Sequence, residues 1–245
     1  MKCSRCGRTA VTELRYFKEV LCGRCFSSLF ERRVKRTVRI NRLLDKRDVL
    51  AVGVSGGAGS MVLLSLLKRI FFKAPQSKLI AVIIDNGAAP LRVTCAVGLC
   101  KELGVGYHVQ KARKEGSVMD ALIAAAEKQG ANKLALDSCL EDEVLDVLVG
   151  IMKDSGRGML NSMENGLPLV KPLRECPNDE LELYVKVMRI PYVNVKKQEK
   201  SFRRELRALL GDIEERQPGS LFKLLKSTDK LVQVMRGKVK MKGTR

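Results

Sequence analysis

The chain has 245 residues, 45% of them hydrophobic, with 46 Lys and Arg against 27 Asp and Glu and a net charge of +19. That composition excludes wholesale disorder, and the apolar runs are strand-sized and broken by charge, which excludes a transmembrane span. The opening Met1-Lys2-Cys3-Ser4-Arg5-Cys6 lacks the apolar run of a secretory signal, so a cytoplasmic protein with no membrane partner is expected.

The first residues carry four of the eight cysteines. Cys3-x-x-Cys6 and Cys22-x-x-Cys25 are two thiol pairs with fifteen residues between them. Each pair turns two thiolates toward one ion, and two such knuckles close a tetrahedron, so the expectation is a structural zinc site. Two disulfides are disfavoured in a reducing compartment, and a redox dithiol would need only one pair. A helix follows over Phe26–Asp45, where Phe26, Leu29, Phe30, Val34, Val38 and Leu44 recur at helical spacing. Arg32, Arg33, Lys35, Arg36, Arg39 and Arg42 give it a basic face.

Next come apolar runs of strand type at Val49–Val54, Lys78–Ile84 and Lys133–Leu136, separated by helical patterns at Met61–Ile70, Val93–Leu103 and Val118–Gln129. Alternation of this kind predicts an α/β fold, a parallel sheet with helices on both faces. Beyond Pro177 the pattern turns helical and basic, with Phe202–Leu210 and Leu221–Leu231 separated at Gln217-Pro218-Gly219 and a frayed basic tail over Gly237–Arg245. The expected organisation is a zinc module and basic helix over 1–47, an α/β domain over 48–180 and a basic helical region over 181–245.

Charge follows that division. Residues 1–47 hold 14 basic and 4 acidic side chains, residues 186–245 hold 17 and 6, and the stretch between them holds 15 and 17. Two basic ends around a neutral body suit a polyanion, and with 4% aromatic residues phosphate contacts to a folded RNA are favoured over base stacking. Arg32, Arg33, Arg36 and Arg39 are the candidate contacts. Solubilising charge and an anionic membrane surface are the alternatives.

The stretch with most chemistry is Val49–Ser60, a buried strand leading through a Ser/Gly turn into a helix. Backbone N–H groups at such a turn converge on an anion, aided by the helix dipole, with Ser55 and Ser60 as added donors. It matches neither a Walker loop nor a dinucleotide fingerprint.

Ser55-Gly56-Gly57-Ala58-Gly59-Ser60 resembles the Ser-Gly-Gly-Lys-Asp-Ser pyrophosphate loop (PP-loop) of the ATP pyrophosphatases, whose fold is of the adenine nucleotide alpha-hydrolase type. Cys3–Thr37, with Cys-x-x-Cys-Gly, Cys-x-x-Cys-Phe and Phe-Glu-x-x-Val-x-x-Thr, is similar to the leading module of the tRNA 2-thiouridine synthetases of the archaeal and eukaryotic cytosolic type. Ile84-Asp85-Asn86-Gly87 with Arg92, Lys171-Pro172-Leu173-Arg174 with Glu180 and Tyr184, and Ser201–Leu225 resemble further stretches of that family in the same order. The resemblance implies ATP and magnesium at Ser55, Gly56, Gly57, Ser60 and Asp85, tRNA as partner and transfer of sulfur to a uridine.

The departures bear on the same chemistry. Ala58 and Gly59 stand where the family's loop has its Lys and Asp, which handle phosphate and metal. Asp137-Ser138-Cys139-Leu140-Glu141-Asp142-Glu143 stands for the family's Gly-His-Asn-Leu-Asp-Asp-Glu. Arg113–Gly116 and Val193–Lys197 replace two cysteine motifs that serve sulfur chemistry. The favoured expectation is a non-catalytic, tRNA-binding subunit with a degenerate loop and weakened ATP and magnesium binding, working beside a catalytic paralogue or as a homodimer. The alternative is an active ATP-dependent enzyme with a variant site, in which Asp85 or Asp142 holds magnesium and Cys139 or Cys176 carries sulfur. A general RNA-binding protein outside thiolation is a third reading. Cys95, Cys100, Cys139 and Cys176 show no ligand spacing and read as small core residues, the alternative being a metal or sulfur-carrying cluster assembled in space from three of them.

Overall fold

A computed structural model describes residues 1–72, 78–87, 89–112, 116–152, 166–194 and 201–242. It divides into two compact units, one of Gly23–Ser138 with Gly166–Lys196, the other of Met1–Cys22, Cys139–Asn165 and Lys197–Arg245.

The first unit is an α/β body. Its strands are β3 (Val49–Gly53), β4 (Lys78–Asp85), β5 (Gly106–Lys111), β6 (Lys133–Ala135) and β7 (Leu169–Val170). All neighbours pair in parallel, in the order β5-β4-β3-β6-β7. β3 is central and buried through Leu50–Val54, as a strand covered on both faces must be. Helix α2 (Ala58–Ile70) links β3 to β4 and α3 (Pro90–Leu103) links β4 to β5, while α4 (Val118–Lys128) returns across the sheet from β5 to β6. Right-handed crossovers place α2 and α3 on one face and α4 on the other. The parallel sheet with helices on both faces is therefore as expected. On the α4 face Ala125 and Ala126 pack with Ala51, Val82 and Leu134, small residues that let the helix lie close to the strands. Ser117 caps α4, accepting from Met119 N at 3.1 Å and Asp120 N at 3.2 Å.

Helix α1 (Gly23–Ile40) belongs to this body and buries Phe26, Phe30, Val34, Thr37 and Val38. It packs on α6 (Asn178–Met188), where Tyr184 stacks on Phe30 with ring centroids 4.5 Å apart. Its end at Ile40 is five residues short of the expected Asp45. Arg42 is in the left-handed region, φ +49°, which breaks the helix.

In the second unit, β1 (Thr12–Leu14) and β2 (Glu19–Leu21) form an antiparallel hairpin. Helices α5 (Leu140–Met152), α7 (Ser201–Arg216) and α8 (Ser220–Lys242) share a core of Leu140, Val144, Leu145, Leu210, Leu221 and Leu225. The break at Gln217-Pro218-Gly219 falls as read, and Glu214 closes it by accepting from Gly219 N and Leu221 N. The expected frayed tail is corrected: the helix runs on to Lys242, and the last three residues lie outside the described ones. No helix among the described residues is long and apolar enough to cross a membrane.

Candidate functional site

β3 and β6 are neighbours, yet the chain leaves β3 toward β4 on one side and β6 leads to β7 on the other. This is the point where the winding reverses, and the crevice beyond the strands' carboxyl ends is where open α/β sheets take ligands. Two turns meet there. Ser55–Gly57 leaves β3, and Leu136–Ser138 leaves β6.

The first turn is tied from within. Ser60 Oγ donates to Gly57 O at 3.0 Å and accepts from Ser55 N at 3.1 Å, with Ser55 Oγ 3.2 Å away. Ser60 is fully buried. Its hydroxyl staples the loop from within, while Ser55 is exposed. Gly56 has φ +76°, and a Cβ there would lie 2.4 Å from Arg92 O, so only glycine fits. The Arg92 guanidinium covers Gly57, with Nη2 3.1 Å from the place of a Cβ. Its Nε is buried with no partner among the described residues. Gly57 caps α2 without a side chain, leaving the first-turn N–H groups directed at the crevice. The residues present fit a phosphate-bearing group: two successive glycines at Gly56 and Gly57, a helix N-terminus and a guanidinium. Sequence reading named Arg92 only through the resemblance; its place over Gly57 needed the fold. Asp85 is half-buried at the end of β4, its Oδ1 accepting from Gly87 N at 2.9 Å.

The family model that matches the chain is a PP-loop domain, over residues 27–211. The chain belongs to the PP-loop domain family. Among curated PP-loop relatives, the tRNA 2-thiolation protein NcsA of Haloferax volcanii is 25% identical over 96% of this chain and 88% of its own length. The tRNA-5-methyluridine(54) 2-sulfurtransferase of Pyrococcus horikoshii is 25% identical over 99% and 86%. The cytoplasmic tRNA 2-thiolation protein 1 of Bos taurus is 27% identical over 87% and 72%. A solved structure of the U34-tRNA thiolase NcsA from Methanococcus maripaludis, with its [4Fe-4S] cluster, superposes with a TM-score of 0.84 at 22% identity, covering 95% of this chain and 87% of that one. That similarity shows a shared PP-loop fold.

The cysteine quartet assembles as the spacing requires. The Sγ atoms of Cys3, Cys6, Cys22 and Cys25 all lie within 4.8 Å of one another, and Cys6 and Cys22 are 3.5 Å apart. Tetrahedral thiolates about 2.3 Å from zinc would have edges of roughly 3.8 Å, so the donor set fits such an ion. The backbone N–H of Cys22 is the largest influence on Cys3, whose thiol is held down to about 6, the ionised form that a metal takes.

The other four thiols have the opposite character. Burial pushes Cys100 up to about 11 and Cys176 up to about 12. Burial also raises Cys95 and Cys139, and Cys139 Sγ donates to Asp142 Oδ2 at 3.2 Å. Among the described residues the quartet is the only grouping of three or more Cys, His, Asp or Glu with metal-binding geometry, so no second thiol cluster is assembled. Asp142, the alternative magnesium ligand, is ion-paired to Arg207 at 2.7 Å. Of the two stretches without thiols, residues 113–115 and 195–197 lie outside the described ones.

On α1 the basic residues separate. Arg32, Lys35, Arg36 and Arg39 are exposed, and Arg24, which the sequence reading passed over, joins them. Arg33, the fourth candidate contact, is half-buried and paired with Glu180 at 2.9 Å. Glu31, Arg69 and Tyr184 form a second polar cluster between α1, α2 and α6.

Proposed function

We propose that this chain is a tRNA-binding PP-loop protein of tRNA 2-thiolation that carries no sulfur on its own thiols, a cytoplasmic partner to a thiol-complete paralogue. Relatives named for tRNA 2-thiolation and 2-sulfurtransfer support the substrate class. The observation that carries the reading is the state of the cysteines. A sulfur-carrying cysteine attacks and leaves as thiolate, and it needs an accessible, electropositive setting. Outside the quartet every thiol is raised by burial. The quartet itself reads as a structural zinc site, closed by four protein ligands with no open position for chemistry. Exposed Arg24, Arg32, Lys35, Arg36 and Arg39 form a stripe on α1 suited to phosphates of a folded RNA.

The second reading, an enzyme that activates tRNA with ATP through a variant loop, draws support from Arg92 over Gly57 and from an acidic side chain at Gly59. On that reading Ser55, Gly56, Gly57 and Arg92 hold phosphate. When bound, ATP and magnesium would supply adenylyl transfer.

The test is genetic. Removing the chain is expected to lower 2-thiouridine in cellular tRNA, and a Cys139→Ser, Cys176→Ser double variant is expected to restore it fully. A folded double variant that fails to restore it would make one of those thiols a sulfur carrier and overturn the proposal.

A further inference from the structure

Gly59 sits in the first turn of α2, and Asp137 lies two residues beyond β6. A Cβ built on Gly59 would fall 2.6 Å from Asp137 Oδ2 and 3.2 Å from its Cβ. A side chain at 59 would press on the carboxylate and on its Cβ, and the carboxylate would have to swing aside to make room. Glycine at 59 is therefore what admits the carboxylate to the cradle.

The sheet explains the meeting. Val52 of β3 is in register with Ala135 of β6, so the chain ends that leave them face the same crevice. Against the family pattern two changes then fall on a single spot: the loop carboxylate is missing at Gly59, and an acidic residue stands at Asp137 in place of glycine. Asp137 brings a carboxylate beside the first turn of α2 from the neighbouring strand.

Its charge decides what it does there. A carboxylate against a helix N-terminus competes with a bare phosphate for the same positive field. With a divalent cation present the sign reverses, because carboxylate and phosphate oxygens are both hard ligands for one ion. Arg92 over Gly57 supplies a fixed positive charge for the phosphate oxygens that the ion leaves free.

We propose that Asp137 is a divalent-cation ligand of the nucleotide cradle, reaching from β6 into the space that Gly59 leaves open. This rests on the ATP-binding reading of the loop and gives that reading its metal ligand.

The experiment is calorimetric titration of ATP into the full chain, with magnesium and with chelator, for the wild type, D137N, G59D and the exchanged pair G59D/D137G, with Tm recorded for each. The wild type is expected to bind more tightly with magnesium, and D137N to lose that preference by about tenfold or more. G59D alone is expected to lower Tm and abolish magnesium-dependent binding, and the exchanged pair to regain both. A D137N protein that keeps the magnesium preference overturns the assignment while leaving ATP binding intact. One that binds ATP more tightly in both conditions makes Asp137 an internal competitor of phosphate, which also overturns it. A wild type that binds no ATP in either condition removes the loop reading and the assignment together. An undiminished Tm for G59D, with magnesium-dependent binding retained, shows that Asp137 does not depend on the space at 59 and overturns the assignment.

Discussion

Arg33 of α1 and Glu180 of α6 form an ion pair of 2.9 Å, with side chains 9% and 3% exposed. Arg33 also reaches the carbonyl of Glu175. Both residues belong to the stretches that resemble the thiouridine synthetases, and their joint role is to join α1 to the α/β body. Removing one member of such a pair strands a buried charge, at a cost of about 3–5 kcal/mol. Arg33→Ala and Glu180→Ala are each expected to lower stability by that order in chemical denaturation. Their combined effect should fall short of the sum, since the second change removes the charge the first left unpaired.

Arg33 should then be silent where its neighbours speak. Charge reversal of Arg32, Arg36 and Arg39 is expected to weaken tRNA binding and to reduce the slope of log affinity against log salt by about one unit for each phosphate no longer neutralised. A folded Arg33→Met protein should keep the wild-type slope. Fluorescence anisotropy with labelled tRNA across a salt series separates the two.

The quartet makes a prediction in metal content. Cys22→Ser is expected to bring bound zinc toward zero, and because the hairpin has little core of its own, to loosen Met1–Cys22 as judged by hydrogen exchange. Cys176→Ser should leave metal stoichiometry unchanged. Iron in place of zinc in the purified wild type would reassign the quartet.

The buried thiols set a response to alkali. Cys100 and Cys176 are raised to about 11 and about 12, whereas in the unfolded chain they ionise at their ordinary values near 8.5. An acid raised by folding stabilises the native state fully below its unfolded value, and that contribution is lost as pH rises through the folded value. Stability should therefore fall between roughly pH 8.5 and 12. Cys100→Ala should flatten that fall in denaturant midpoints measured across the range.

Much of the body was legible because β3, β4 and β6 are apolar runs that alternate with helical patterns, and the quartet was legible because its spacing is itself the geometry. β5 was not, since it is an edge strand with exposed Tyr107 and Val109, and no continuous apolar run marks it. The setting of Arg33 was not legible because composition treats it like Arg32, although it stands three residues after buried Phe30 and four before buried Thr37, on the flank that faces inward. The bonds of Ser60 to Ser55 and Gly57 were not legible either, because a hydroxyl in a glycine loop does not reveal which atoms surround it. The meeting of Gly59 and Asp137 joins residues seventy-eight positions apart, and only the register of β3 with β6 brings it about.

The central claim is that sulfur passes through no thiol of this chain. Its direct measurement is mass spectrometry of the purified, metal-loaded protein and of digested tRNA after incubation with ATP, magnesium, a persulfide donor and unmodified tRNA. The expected result is bound tRNA with no thiolated uridine and no persulfide on Cys95, Cys100, Cys139 or Cys176. Thiolated uridine formed by this chain alone, together with a persulfide on one of those four, would contradict it.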